Sequence, residues 1–311
     1  MKILVIGYNA FDVIVPVTGV PAADSKTEVE TVIHGGGGPG ATAAVCLARL
    51  GADVRLITML GDDVGAQIQR QELEAVEVDL TLVQTAPGQR SAQAVIMVDS
   101  ARESRAVLWT RGDLPHLDPR SMDPAWLDGC DLLYCDGHEP AATMVLAEAA
   151  RERDLPVVMD AGTMREGSRE LVQVCTDVIS SRGFAPALTG ESEPRRALGA
   201  LRDLGPERVA MTFGEAGVLA LPEDGDEVFH VPAYDVDVVD TTGAGDAFHA
   251  GYAYSRARGG HWRDDLEVGA AVAALKCRDW GGRRALPYLH EVEQTLDRNA
   301  RRAETPAAWT P

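Results

Sequence analysis

Residues 238–252 read VVDTTGAGDAFHAGY, and the fold turns on what this stretch is for. Gly243-Ala244-Gly245 lets backbone N–H groups approach an anion closely. The apolar pattern that follows puts those groups at the start of a helix, where unpaired amides and the helix dipole favour negative charge. Asp246 comes next and is itself an anion. Either this carboxylate caps a glycine-rich turn, or it and the amides serve opposite ends of one reaction.

On both sides of this turn, short apolar runs alternate with longer amphipathic ones. KILVIG (2–7), DVRLITML (53–60), DLLYCDG (131–137), LPVVMDAG (155–162), DVISS (177–181) and ERVAMTFG (207–214) read as strands. The helical runs are 41–51, 64–76, 141–154, 193–205, 244–259 and 265–278. Nearly continuous apolar strands alternating with helices predict a mostly parallel sheet covered on both faces. Two stretches, at about 12–35 and 90–112, alternate instead as antiparallel hairpin strands do. They predict a small sheet that is either a lid over a cleft or an extension of the sheet edge. A further hairpin is expected in GVLALPEDGDEVFHVP (217–232), closed by Asp224-Gly225. The polar, proline-ended tail from 298 reads as loosely held.

A second glycine run opens HGGGGPGATAAVCLARLG (34–51). Gly35, Gly37 and Gly40 match GxGxxG spacing, yet a dinucleotide fingerprint belongs in the first turn after the opening strand. Here the hairpin-like segment intervenes, and four consecutive glycines make such a match nearly automatic. No GxxxxGK[ST] occurs, which excludes a P-loop. What remains is backbone that can lie close to a small polar ligand at a helix N-terminus. Asp12, just past the first strand, either accepts paired hydroxyl donors of a polyol there or is part of the turn.

Composition narrows the partners. The 311 residues carry 29 Lys+Arg against 48 Asp+Glu, a net charge of -19, so no basic footprint for nucleic acid exists. The longest apolar runs are too short to span a membrane. Five scattered cysteines without a CxxC pair suit buried thiols of a reducing compartment, and a cytoplasmic location is expected.

Together, DTTGAGDAFHAGY (240–252), GGGGPGATAAVCLARLG (35–51), GDDVG (61–65) and ALKCRDWGGRRALP (274–287) resemble the ribokinase (PfkB) family of sugar and nucleoside kinases. The segments AVIMVDS (94–100) and AALKCRDWGGR look most like its ketohexokinase and sulfofructose-kinase branch. The resemblance covers most of the chain. It implies one three-layer α/β/α domain over 1–311 with a small β-sheet lid, and transfer of phosphate from ATP with Mg²⁺ to a hydroxymethyl group. By the same resemblance Asp246 is the general base, with the Gly243, Ala244 and Gly245 amides as the anion hole. Asp12, Gly36, Gly37, Gly38, Thr42, Lys26 and Arg105 fall on the sugar side. Thr212, Gly214 and Gly217 fall along the ATP phosphates and ribose, and Gly269, Ala273, Cys277 and Gly281 at the adenine. Asp240 and Thr242 match an occasional K⁺ site of the family.

Two departures set the chain apart from the family. Thr42 stands where the family's helix carries a sugar-binding Asn. Ser181 and Phe184 stand where an NxxE motif tied to Mg²⁺ would sit, leaving Asp160 and Glu191 as candidate outer-shell acids. Lys26, or any of Arg105, Arg111, His34 and His138, is a candidate contact to an acidic group on the sugar. Trp109 either stacks on a flat ligand or closes a homodimer through the lid, and His249 faces helix neighbours. A sugar kinase for a ketose or acidic sugar leads; a nucleoside kinase and a non-catalytic sugar sensor are the alternatives.

Overall fold

The runs KILVI, LLYC, VVMDA and DVISS are buried along nearly their whole length, as strands covered on both faces must be. The computed structural model of the chain describes residues 1–19, 21–99 and 104–298. Its first half runs β1 (Lys2–Ile6), β2 (Ala10–Val17), β3 (Ile33–Gly37), α1 (Pro39–Arg49), β4 (Asp53–Ile57) and β5 (Met59–Leu60). It continues through α2 (Val64–Glu74), β6 (Gln84–Thr85), β7 (Gln93–Asp99) and β8 (Ser104–Thr110). The second half runs β9 (Leu132–Cys135), α3 (Pro140–Arg151), β10 (Val157–Ala161), α4 (Ser168–Val174), β11 (Asp177–Ser181), α5 (Phe184–Thr189) and α6 (Pro194–Arg202). There follow β12 (Arg208–Thr212), β13 (Val218–Ala220), β14 (Phe229–Val231), α7 (Ala244–Ala257), α8 (Trp262–Lys276) and α9 (Leu289–Arg298).

The main sheet has the order β14-β13-β12-β11-β10-β9-β1-β4. It is parallel from β4 to β12, and β13 and β14 add an antiparallel edge. One face is packed by Leu47 of α1, Tyr252 of α7 and Leu266 of α8. The other is packed by Leu146 of α3, Leu171 of α4, Phe184 of α5 and Leu198 of α6. This is the three-layer α/β/α arrangement the resemblance implied.

The second sheet has the order β3-β2-β7-β8 and draws its strands from the two hairpin-like stretches. Each stretch is antiparallel within itself, but β2 and β7 join the two in parallel, which strand periodicity does not reveal. Its inner face buries Ile14, Ala94, Ile96 and Val98 against Trp280. Asp224-Gly225 does not close a two-residue turn: β13 and β14 pair from Val218↔Val231 to Ala220↔Phe229, so a longer loop, 221–228, connects them. Helices α4, α5 and α9 were not anticipated: α4 and α5 are only seven and six residues long, and α9 follows the last run read as helical. The tail beyond 298 lies outside the described residues. Among those residues the five cysteines are free, and no helix is long and apolar enough to cross a membrane.

Candidate active site

A cavity of about 860 Å³ opens where the parallel strands end at their C-termini, roofed by the inner face of the second sheet. Open α/β sheets place ligands there, because loops diverge and helix N-termini converge at that edge. Asp12, Gly38, Arg105, Thr212, Gly214, Gly217, Thr242 to Asp246, Ala273 and Cys277 all line it.

The turn before α7 forms its floor. Gly243 has φ 76°, and a Cβ there would lie 2.8 Å from the Gly282 Cα, so no other residue fits. The Ala244 N–H is not free, since it donates to the Thr241 carbonyl at 3.1 Å. The open amides of the first turn are therefore those of Gly245 and Asp246. The Asp246 carboxylate accepts no hydrogen bond from any described residue. Desolvation by the cavity walls and repulsion from Asp160 push its pKa up to about 7, against the pull of His249 and Arg105. Arg105 reaches in from β8 and donates to Thr241 Oγ1 at 2.7 Å.

Asp12 lies on β2, opposite Gly35 of β3. A Cβ on Gly37 would stand 2.0 Å from an Asp12 carboxylate oxygen, so Gly37 is the space the carboxylate occupies. Burial pushes Asp12 up to about 7, against the attraction of Arg283. That arginine is fully enclosed and donates to the Gly37 carbonyl at 2.6 Å, Asn9 Oδ1 at 3.0 Å, Glu72 Oε2 at 3.3 Å and Thr42 Oγ1 at 3.5 Å. It explains two departures from expectation. Thr42 is buried behind the turn with Arg283 rather than facing the cavity, and Gly36 makes room for the guanidinium, whose Nη1 a Cβ would meet at 1.9 Å.

At the opposite end, Thr212, Gly214 and Gly217 follow β12, and Ala270, Ala273, Ala274 and Cys277 present a flat apolar wall of α8. Gly269 is not part of that wall; it packs beneath Phe248 of α7, 2.8 Å from its carbonyl to a built Cβ. Gly281 is a structural link as well, donating its N–H to Asp240 Oδ2 at 2.8 Å. Asp240 Oδ1 accepts from both Thr242 N and Oγ1, and the buried Lys276 ammonium donates to the Asp240 carbonyl at 2.8 Å. The residues matched to a K⁺ site are thus engaged with one another and with the chain's own cation.

Several expected contacts fall elsewhere. Lys26 is exposed in the loop between β2 and β3 and does not line the cavity. His34 stacks on Phe11, Arg111 is held by Glu139, and Glu191 stands in the loop before α6. Phe184 is buried in the core, so an acid is absent there for a packing reason. Asp160 does line the cavity, and burial raises its pKa to about 8. His249 lines it too, with Nδ1 2.6 Å from the Gly245 carbonyl and 3.3 Å from Asp160 Oδ2. Unanticipated residues are Arg283, Tyr8, Asp136 and Arg165; each reaches its partners across long stretches of sequence. His138 and Trp109, named as loose candidates, meet Tyr8 at 4.3 and 5.9 Å between ring centroids.

The family model for pfkB family carbohydrate kinases matches residues 1–288. Deoxyribokinase of Salmonella typhi is 29% identical over 308 residues, covering 96% of this chain and all of the relative. An ATP-dependent ribose-1-phosphate kinase of Halopiger xanaduensis is 31% identical over 289 residues, covering 92% and 95%. The crystal structure of a candidate ribokinase of Agrobacterium tumefaciens superposes with TM-score 0.89 at 27% identity, covering 96% and 97%.

Proposed function

The chain belongs to the pfkB family of carbohydrate kinases, and on that premise we propose that Asp246 is its catalytic base in phosphorylating a hydroxymethyl group of a small sugar, a ketose or an acidic sugar. The observation that carries this is Asp246 itself. A carboxylate without a hydrogen-bond donor, with its pKa raised to about 7, at the rim of two open amides, suits a base working near neutrality.

In the reaction the acceptor's O–H proton passes to an Asp246 oxygen while the acceptor oxygen bonds to the γ-phosphorus. The bond from that phosphorus to the β,γ-bridging oxygen breaks, and ADP leaves with the electron pair. The Gly245 and Asp246 amides and Arg105 meet the charge on the transferring group. Asp12 orients acceptor hydroxyls, and the α8 wall with Thr212, Gly214 and Gly217 takes the nucleotide. The inner face of the second sheet acts as the lid.

Mg²⁺ would enter with the ATP phosphates and its own water, and Asp160, which lines the cavity, is the carboxylate that would help hold it. When bound it neutralises phosphate charge.

A nucleoside acceptor is a second reading, favoured by the aromatic faces of Tyr8 and Trp109. ADP release measured over ketoses, aldoses, acidic sugars and nucleosides tests both, with Asp246→Asn as control. The variant should lose roughly 10²–10⁴ in kcat. Near-normal turnover in it removes the base, and sugar-induced thermal shifts without any ADP release leave only a sensor.

A further inference from the structure

Three arginines border the cavity: Arg105, Arg165 and Arg182. Arg105 is committed to the phosphoryl end, since it bonds Thr241 and its charge holds Asp246 down. Arg182 follows Ser181 at the end of β11, beside the Thr212 end of β12, where the nucleotide phosphates run. Arg165 has neither relation. It stands in the loop after β10, over the Trp109 ring at 5.4 Å, and bonds His138 Nε2 at 2.8 Å. Its charge acts on Tyr8, whose ring meets those of His138 and Trp109.

Among the described residues, Arg111 has Glu139, Arg208 has Asp265, Arg256 has Asp177 and Arg283 has Glu72, while the half-buried Arg49, Arg55 and Arg70 donate to chain carbonyls or Thr85 and do not line the cavity. Among the described residues Arg165 has no carboxylate within ion-pair distance. The acid nearest in effect, Asp136, already accepts the N–H groups of Tyr8, Gly40 and His138. Burial holds His138 neutral, with its pKa down at about 4, so its ring accepts one arginine proton and supplies no charge. Arg165 is left as a half-buried cation with most of its five donors unspent and its plane fixed by Trp109 and His138. A planar fork so held matches a two-oxygen anion, and leaving it unpaired in a desolvated place costs stability unless a ligand completes it.

We propose that Arg165 is the specificity-determining residue for an anionic substituent on the acceptor sugar: a carboxylate, sulfonate or phosphate at the end remote from the hydroxyl that is phosphorylated. This rests on the kinase reading and moves the anion contact from Lys26, which is exposed outside the cavity, to a side chain that lines it. His138 and Trp109 are positioning residues for the fork.

The test compares acidic sugars with neutral sugars of the same carbon skeleton: ribose 1-phosphate with ribose, a 6-sulfonated ketohexose with its parent, and a 2-keto aldonate with the corresponding ketose. ADP release is measured for the native chain, Arg165→Gln and Arg165→Lys, with folding of each checked by thermal melting. The native enzyme should favour at least one acidic sugar in kcat/KM. Arg165→Gln should cut the acidic-to-neutral ratio by roughly 10–10²-fold, the weight of a hydrogen bond to a charged group, and Arg165→Lys should restore part of it. Which anion wins names the source. A native preference for neutral sugars, or an equal loss on both classes in Arg165→Gln, overturns the proposal. If no sugar yields ADP the kinase reading has failed, and thermal shifts with the same pairs decide the inference separately. An acid-specific shift lost in Arg165→Gln upholds it, and its absence ends it.

Discussion

Asp246 is held between two influences that a single substitution separates. Desolvation and Asp160 raise its pKa, while Arg105 and His249 lower it. The base must be ionised to accept a proton, so kcat/KM falls as pH drops below about 7. Arg105→Gln removes a positive charge that favours the ionised form, so the acid limb of the kcat/KM profile should move to higher pH. A limb that stays in place would show that Arg105 acts elsewhere. Stability responds to the same carboxylate with the opposite sign. An acid whose folded pKa is raised holds its proton more tightly when folded, so its contribution declines as pH rises from the unfolded value near 4 toward 7. Asp246→Asn has no such proton to lose. It should melt higher than the native chain at pH 8 and differ little at pH 4, while turning over far more slowly, the pattern of a group kept for function against stability.

At the scale of elements, β2, β3 and the start of α1 form one device in which backbone and carboxylate share a space. Gly37→Ala would drive a methyl group into the Asp12 carboxylate and displace the group that meets acceptor hydroxyls. The expected result is a sugar KM at least about tenfold higher, the loss of one charged hydrogen bond, with the ATP KM changed much less; equal rises in both would assign Asp12 to general packing. Much of this framework was legible in the sequence. The alternation of apolar strands with helices gave the layers, and the glycine-rich start of α7 pointed to Asp246, which the structure places on the cavity wall. Both signals are local, carried by residues a few positions apart. Arg283 was not legible, because it meets the Gly37 carbonyl across 246 positions, and nothing near it in the chain announces a buried guanidinium. Arg165 escaped for the same reason. Lys26 went wrong differently: a charge on a lid segment says nothing of whether its loop bends toward the cavity. Gly269 and Gly281 satisfied a motif through small size, which packing and a turn required independently.

Over the whole molecule the net charge of -19 repels an anionic nucleotide at long range, so cations concentrated in the cavity must supply the local attraction. The second sheet provides part of it through Arg105, and the sheet's two faces differ. Arg105, Val107 and Trp109 of β8 point inward to the cavity. Leu108 is 64% exposed and Val95, its cross-strand partner, 41%. Two apolar side chains paired on the outer surface of the second sheet are poorly suited to water, and we propose that a second copy of the chain covers them. Among the described residues each edge, β3 and β8, also lacks a neighbouring strand, which favours pairing with another chain. A homodimer should therefore appear in sedimentation velocity, and Val95→Glu combined with Leu108→Glu should yield a monomer with an unchanged melting profile. If the lid is held by its partner, that monomer should also show a raised sugar KM, because Arg105, Val107 and Trp109 then ride on an unsupported sheet. A native chain that sediments as a monomer would leave the exposed pair without a partner and reject the pairing.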